Sequence, residues 1–354
     1  MENFNKIKLK GLNEAETEAW VLDQGMDSYR SRQVRHWLFK KFVKSFDEMT
    51  NISASCRALF DERADICPLE QVDKLESTDT TAKYLFKCHD GNLVESVLIP
   101  ERDHLTLCIS SQAGCSMGCR FCLTARQGLT RNLTPDEIIE QVILVKRSIS
   151  TPDRITNIVL MGMGEPLANY DSVIKAIKNM ISEEAMNFSH RKITLSTCGL
   201  VPQIRRLGKD IPVNLAISLN APDDGKRDYL MPVNKVYPIK ELLSACRDFP
   251  LPNRRMLTFE YILIAGINDT DEDALRLCKI LKGLRAKINL IPLNPHPSSD
   301  MAPSPPERIQ AFQDILARNH YTAIIRKSKG RDILAACGQL SGKYRRIQGG
   351  AGAS

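Results

Sequence analysis

No stretch of this 354-residue chain stays apolar long enough to cross a bilayer, so a soluble protein is expected. The opening Met-Glu-Asn-Phe-Asn-Lys-Ile-Lys is polar and charged, which leaves no hydrophobic signal region. Eleven cysteines over such a length are too sparse for a disulfide framework. These absences together predict a cytoplasmic chain whose thiols stay reduced. No internal repeat is visible, and the length suits one large domain plus a small one.

What is present begins with Gly-Cys-Ser-Met-Gly-Cys-Arg-Phe-Cys, which sets Cys115, Cys119 and Cys122 at Cys-x3-Cys-x2-Cys spacing. A structural zinc site needs four ligands, usually from two paired clusters. Here the second half is missing: the nearest upstream histidine is His104, and no cysteine pair follows. Three thiolates this close can instead hold three irons of a cubane 4Fe–4S cluster and leave the fourth iron without a protein ligand. Such an iron can bind and reduce a small molecule. The net charge of +7 and a pI near 8.8 permit nucleic-acid binding without requiring it.

The segment up to about Glu70 reads as helical and lacks strand-like runs. Within it, Ser28 to Phe46 carries Arg30, Arg32, Arg35, Lys40, Lys41 and Lys44. Val34, Leu38 and Phe42 recur there at helical spacing, beside Trp37 and Val43. The pattern predicts an amphipathic helix with a solvated basic face, which also suits the phosphates of an RNA. Lys83–Cys88 and Asn92–Ile99 flank Asp90-Gly91, a hairpin signal. Period-two alternation sets Glu95 on one strand face with Leu93, Val97 and Ile99. A carboxylate there is either an edge residue reaching water or a desolvated acid fit for proton transfer, and the pattern alone favours the edge.

From Leu105 the rhythm becomes strand, loop, helix. Strand-like runs fall at Leu105–Ser110, Thr156–Met161, Lys192–Thr197, Val213–Leu219, Leu257–Ile264 and Lys287–Leu293, with a further one at Tyr321–Arg326. Thr134, Pro135 and Glu137 mark one helix start as a capping box. The alternation predicts an α/β fold, a parallel sheet closed or partly closed into a barrel, with its chemistry at the C-terminal strand ends. The expected layout is a helical N-terminal domain over 1–75, a linking β-hairpin over 76–104, the barrel over 105–345 and a disordered glycine-rich tail over 346–354. The cysteine triad follows the first barrel strand. Met161-Gly162-Met163-Gly164-Glu165-Pro166 follows the second. Its glycines would let a ligand approach the backbone, and its carboxylate could hold an ammonium or hydroxyls. Ser196 and Ser218 stand at the third and fourth strand tips, and Asn294 at the sixth.

A cluster with one open iron, on a barrel with a polar rim, matches what reductive cleavage of S-adenosylmethionine requires. Here the sequence resembles the radical S-adenosylmethionine superfamily, including Phe121 just before the third cysteine. The runs Thr106 to Cys115, Gln127 to Leu133, Gly162 to Leu167 and Ala336 to Leu340 further resemble the RlmN/Cfr family of RNA adenine methyltransferases. That likeness runs from the N-terminal helical segment to about Tyr344. Met-Gly-Glu-Pro-Leu is similar to the housekeeping branch, which methylates carbon 2 of adenine. The antibiotic-resistance branch, which methylates carbon 8, typically has alanine at the Pro166 position.

The resemblance implies a partial (β/α)6, TIM-like barrel of radical S-adenosylmethionine type with one 4Fe–4S cluster on Cys115, Cys119 and Cys122. It implies two S-adenosylmethionine molecules consumed per turnover. One methylates Cys337; the other yields a 5′-deoxyadenosyl radical that takes hydrogen from that methyl group, and the resulting methylene radical adds to carbon 2. Glu95 is implied as the proton acceptor, and Cys108 as the thiol that assists proton removal and resolves the protein–RNA adduct through a disulfide with Cys337. Gly164, Glu165, Ser196, Ser218, Leu219, Asn220 and Asn294 are implied as S-adenosylmethionine contacts, although the family usually has histidine at the Asn220 position. The implied substrates are 23S rRNA and the adenosine beside the anticodon of tRNA. The implied setting is a monomer without a membrane partner, served by an electron donor such as flavodoxin or ferredoxin. The RNA should be single-stranded or looped, because a paired, stacked adenine hides carbon 2.

Without the resemblance, Cys108 and Cys337 would pass as buried thiols. Cys56, Cys67, Cys88, Cys198, Cys246 and Cys278 have no partner at ligand spacing and are expected to be structural. Two other readings stay open: a carbon-8 methyltransferase, and a zinc-stabilised RNA-binding protein without catalysis.

Overall fold

The computed structural model describes residues 6–296 and 299–342. The expected tail over 346–354, and the last residues of the expected barrel, lie outside the described residues. The N-terminal part holds α1 (Glu14–Asp23), α2 (Tyr29–His36) and α3 (Ala54–Arg63). Asn13 and Glu16 form a capping box that starts α1. α2 continues into a wider π-helical turn at Trp37–Lys41, and Phe42 ends it with φ +54. The helix therefore covers only part of the basic segment. Val34, Leu38 and Val43 are buried, while Arg32, Lys40, Lys41 and Lys44 are exposed, as an amphipathic face requires.

Arg35 departs from that face. It is 1% exposed, and its guanidinium donates to Leu12 O, Thr17 Oγ1 and Asn179 Oδ1 at 3.2, 3.3 and 3.1 Å. It packs the N-terminal part onto the barrel instead of facing phosphates. The absence of strands before Glu70 is also corrected. Ile7–Lys8 pairs in parallel with Ala64–Asp65, and a long strand starts at Leu69. That strand hides in the sequence because it is a sheet edge: Glu70, Asp73, Lys74 and Glu76 charge it, and its register shifts between Gln71 and Asp73. Charge and bulges are how an exposed edge avoids pairing with other chains.

The main sheet has ten strands that follow one another in chain order. They are β1 (Leu69–Glu76), β2 (Ala82–Cys88), β3 (Leu93–Pro100), β4 (Leu105–Cys108), β5 (Ile155–Leu160), β6 (Ile193–Thr197), β7 (Asn214–Ser218), β8 (Leu257–Leu263), β9 (Ala286–Pro292) and β10 (Thr322–Ile325). Pairing is antiparallel from β1 to β4 and parallel from β4 to β10. The expected hairpin is β2–β3, turning at Gly91 with φ +84 and a Cys88 N–H to Asn92 O bond of 2.8 Å. The residues expected as a linker thus continue the barrel's own sheet. β3 lies between β2 and β4, and Glu95 is 1% exposed, so the edge reading of Glu95 fails.

Six helical crossovers join the parallel strands: α4 (Pro135–Ser148), α5 (Tyr170–Ile181), α6 (Val201–Asp210), the pair α7 (Asp224–Leu230) and α8 (Ile239–Asp248), α9 (Asp271–Ile280) and α10 (Pro306–Arg318). A strand order without reversal puts every right-handed crossover on the same face, so the sheet curls into an open barrel. β10 adds a seventh parallel strand after the six expected repeats. α4 starts on the expected Thr134–Glu137 capping box, with Pro135 at its first position. Its Ile138, Ile139, Val142 and Ile143 are fully buried; each contributes roughly 1.5–3 kcal/mol of transfer free energy to holding the helix on the sheet. A second, smaller apolar patch gathers Phe121, Leu230, Met231, Ile264 and Leu293 at the C-terminal strand ends.

Candidate active site

After β4 the chain forms a loop closed at its neck. Gln112–Gly114 pairs antiparallel with Leu129–Asn132, and Cys115 N–H donates to Gly128 O at 2.9 Å. Gly114 has φ +81, and a Cβ there would lie 2.0 Å from Gly128 O, so the neck accepts only glycine. Inside the loop Cys122 N–H donates to Cys119 O at 3.1 Å, and a helical turn at Leu123–Arg126 follows. Phe121 anchors the loop in the small apolar patch, which explains an aromatic at that position.

Cys115 is buried, whereas Cys119 and Cys122 are half-buried. Burial pushes all three thiols up, Cys115 to about 12. Cys119 is raised further by Cys122, Cys115 and Glu165, so the three sulfurs stand within electrostatic reach of one another. A cavity of about 260 Å³ opens beside Cys119, lined also by Arg120, Arg126, Asp300 and Met301. Among the described residues no three His, Cys, Asp or Glu side chains converge on a single metal ion. In a cubane each thiolate binds its own iron, so such convergence is not needed. The donor set fits that group: three thiols on one pinned loop, costly to ionise together unless cationic iron takes their charge.

The chain after β10 returns across this loop. Leu123 N–H donates to Gly338 O at 2.8 Å, and Thr124 Oγ1 to Leu340 O at 2.7 Å. Asn294 Nδ2 donates to Cys337 O at 3.4 Å. Gly338 has φ +82, and a Cβ there would come 3.2 Å from Phe121 O, so the small-residue stretch is shaped by its packing on the cysteine loop. Cys337 is exposed, yet its thiol is pushed up to about 11, first by surrounding protein and then by Glu260, with Cys122 adding. Its side chain is reached by solvent. Cys108 ends β4, is buried, and is raised by burial and next by Cys337. Both are free thiols, and the fold brings them together across more than two hundred residues.

Glu95 joins them. Its Oε2 accepts from Ser341 N–H at 2.9 Å, and Oε1 lies 3.3 Å from Lys83 Nζ. Its backbone oxygen accepts from Ser110 Oγ at 2.6 Å, just past Cys108. Lys83 also donates to Leu334 O at 3.3 Å. The carboxylate is therefore desolvated, ion-paired and clasped to the segment that carries Cys337.

Ser196 and Ser218 stand at the ends of β6 and β7, whereas Gly164, Glu165 and Asn294 lie in the loops that follow β5 and β9. Gly162 and Gly164 permit close approach of the chain to itself: a Cβ at either would come 2.7 Å from Ile109 O or 2.5 Å from Gln112 Cβ. Glu165 is buried, which raises its carboxyl, and accepts from Leu167 N–H at 2.9 Å and Cys198 N–H at 2.7 Å. Ser196 and Ser218 are half-buried at the tips of β6 and β7, while Leu219 and Asn294 are buried. Asn220 is buried with φ +58; its Oδ1 accepts from Ile262 N–H at 2.8 Å and its backbone oxygen from Asn268 Nδ2 at 2.8 Å. Its amide thus ties β7 to β8. Sequence reasoning missed Lys83, Glu260 and Arg227. Glu260 is visible as a lone acid within the apolar run of β8, where burial raises it beside Cys337. Arg227 lies in Asp-Gly-Lys-Arg-Asp-Tyr-Leu, which gives no sign of burial.

The family described as the Radical SAM superfamily matches residues 109–278, and the ribosomal RNA large subunit methyltransferase N-terminal domain matches residues 7–66. The chain is similar to the dual-specificity RNA methyltransferase RlmN of Syntrophus aciditrophicus, 51% identical over 341 residues, spanning 96% of this chain and 98% of that protein. It is 50% identical to the protein of the same name from Geobacter sulfurreducens, over 95% of this chain and 92% of that one. The crystal structure of a radical SAM methyltransferase from Sphaerobacter thermophilus superposes with a TM-score of 0.92 at 43% identity, covering 95% of this chain and all of that one.

Proposed function

Since the chain belongs to the RlmN family of radical S-adenosylmethionine RNA methyltransferases, we propose that it methylates carbon 2 of an adenosine in 23S rRNA and of the adenosine beside the anticodon in tRNA. Membership implies a 4Fe–4S cluster, for which Cys115, Cys119 and Cys122 are the ligands in this reading, and S-adenosylmethionine held at Gly164, Glu165, Ser196, Ser218, Leu219, Asn220 and Asn294. The group supplies, when bound, a 5′-deoxyadenosyl radical from S-adenosylmethionine; two molecules are consumed per turnover, and flavodoxin or ferredoxin serves as electron donor. Cys337 carries the methyl group and is joined through it to carbon 2. Glu95 accepts the carbon-2 proton, and Cys108 assists and releases the product by closing a disulfide with Cys337. The enzyme works as a monomer.

The observation that carries this reading is the placement of Cys337. Its loop is hydrogen-bonded to the cysteine loop through Leu123 and Gly338, and its sulfur stands within electrostatic reach of both Cys122 and Cys108. A zinc-stabilised binding module would have no use for a free, solvent-reached thiol in that position.

Anaerobic assay of Cys337→Ala with both RNAs is expected to give no methylated adenosine; product from that variant would overturn the mechanism. Cys108→Ala is expected to accumulate protein crosslinked to RNA on a denaturing gel. With adenine deuterated at carbon 2, the product should lose its label, whereas a methylated product that retains it would move the chemistry to carbon 8.

A further inference from the structure

Arg227 on α7 is fully buried. Its guanidinium makes four hydrogen bonds: Nε to Leu219 O at 3.1 Å, Nη1 to Asn234 Oδ1 at 2.8 Å, and Nη2 to Cys198 O at 2.6 Å and Ser218 O at 3.4 Å. All four acceptors are neutral. Three are backbone oxygens at the ends of β6 and β7, the strands that carry Ser196, Ser218 and Leu219. The chain bends around the guanidinium at Gly199, which has φ +112, and a Cβ there would lie 3.3 Å from Nη2. Asp224 is near, but its carboxyl is engaged by Asn234 Nδ2 at 3.0 Å and Ile239 N–H at 2.9 Å.

A buried cation among neutral acceptors is costly unless an anion stands close by. Arg227 stands beside the cysteine loop: Arg120 N–H, next to Cys119, donates to Leu230 O on the same helix at 3.0 Å, and Cys198, whose oxygen holds Nη2, shares the small apolar patch against which Cys119 packs. A thiolate-ligated cluster is itself anionic, and reduction makes it more so. Net charge and surroundings set cluster potentials, so a fixed cation favours the reduced form. The planar fork is also what lets one side chain hold two strand tips at once; lysine would offer a point charge without that reach.

We propose that Arg227 is a positioning residue with two tasks: it offsets the negative charge of the cluster held by Cys115, Cys119 and Cys122, and it fixes the β6 and β7 tips against which S-adenosylmethionine lies. The proposal rests on reading those cysteines as cluster ligands. It assigns no contact between Arg227 and substrate.

The test compares anaerobically reconstituted holoenzyme with Arg227→Met and Arg227→Lys. Dithionite titration followed by electron paramagnetic resonance reads the cluster potential, and equilibrium dialysis reads S-adenosylmethionine affinity. Arg227→Met is expected to disfavour the reduced cluster about tenfold, which for one electron is about 59 mV. Arg227→Lys is expected to keep the parent potential but bind S-adenosylmethionine about tenfold more weakly, since an ammonium cannot reach both tips. Should Arg227→Met fail to fold, Arg227→Gln keeps a donor without the charge and carries the same expected potential shift. A neutral variant at the parent potential, or a lysine variant with parent affinity, overturns the corresponding task. A parent protein that assembles no cluster overturns the cysteine reading as well, whereas a loaded parent with unmoved variants overturns this proposal alone.

Discussion

Arg35 and Lys44 belong to the same basic segment and should fail in different ways when removed. Arg35 is buried and hydrogen-bonded to Leu12, Thr17 and Asn179, whereas Lys44 is exposed. Arg35→Ala leaves buried acceptors without a donor and should cost about 2–4 kcal/mol in urea unfolding. Lys44→Ala should change stability by no more than about 0.5 kcal/mol. If the exposed face grips RNA, Lys44→Ala should make the slope of log affinity against log salt shallower by about 0.7–0.9 for each phosphate it no longer neutralises. A slope change for Arg35→Ala at saturating folded protein would place it back among the phosphate-binding residues. Asn220 shows another limit of reading single residues. The family's usual histidine is replaced here by asparagine, and the backbone explains why that works: φ is +58, a conformation asparagine adopts readily, and the short amide closes the bond to Ile262. Nothing in the spacing of polar residues reveals a left-handed backbone, so this role is invisible without the structure.

At the scale of elements, the cysteine loop depends on its neck. Gly114→Ala would drive a Cβ to 2.0 Å from Gly128 O at a position with φ +81, so the two-stranded closure must open. Reconstituted Gly114→Ala is expected to hold several-fold less iron per chain than the parent. Gly91→Ala is the control: its φ is +84, but a Cβ there meets nothing within 4 Å among the described residues. It should cost only about 1–2 kcal/mol and leave iron content unchanged. Equal iron in both variants would show that the neck does not shape the cysteine loop. Strands β4 to β10 and the start of α4 were legible in the sequence because their signals are local: alternation, apolar runs and a capping box over a few residues. β1 was not, since an edge strand carries the charges of a surface helix. The approach of Cys108 to Cys337 was legible only through family resemblance, because non-local proximity leaves no trace in spacing. Arg227 and Lys83 left no trace at all; a buried cation is recognised by what surrounds it, not by its neighbours in sequence.

On the whole-molecule scale, the N-terminal part is joined to the barrel through buried polar groups, and one pair should dominate. Lys10 and Glu140 form an ion pair with both side chains fully buried, and Glu140 Oε1 has no hydrogen-bond partner among the described residues. Beside it Asn179 Nδ2 donates to Lys10 O and Leu12 O at 3.3 and 2.9 Å. Burial raises the Glu140 carboxyl, and Lys10 is the group that opposes the rise, while Asp136 and Asp65 add to it. Lys10→Met therefore strands a carboxylate and should cost about 3–5 kcal/mol at neutral pH. In that variant the folded chain keeps a proton on Glu140 that the unfolded chain, with an ordinary pKa of about 4.3, has already released. Folding then takes up a proton, so stability should fall as pH rises above about 4.3 and recover as pH is lowered. Lys10→Met combined with Glu140→Leu removes both charges; it should return to within about 1–2 kcal/mol of the parent and lose that pH dependence. Urea unfolding of the three proteins across the acid range distinguishes these outcomes, and a single variant as stable as the double would show that the pair holds nothing. Because the same docking fixes the exposed basic segment relative to Cys337, the double variant should still methylate RNA where the single variant loses activity together with its fold.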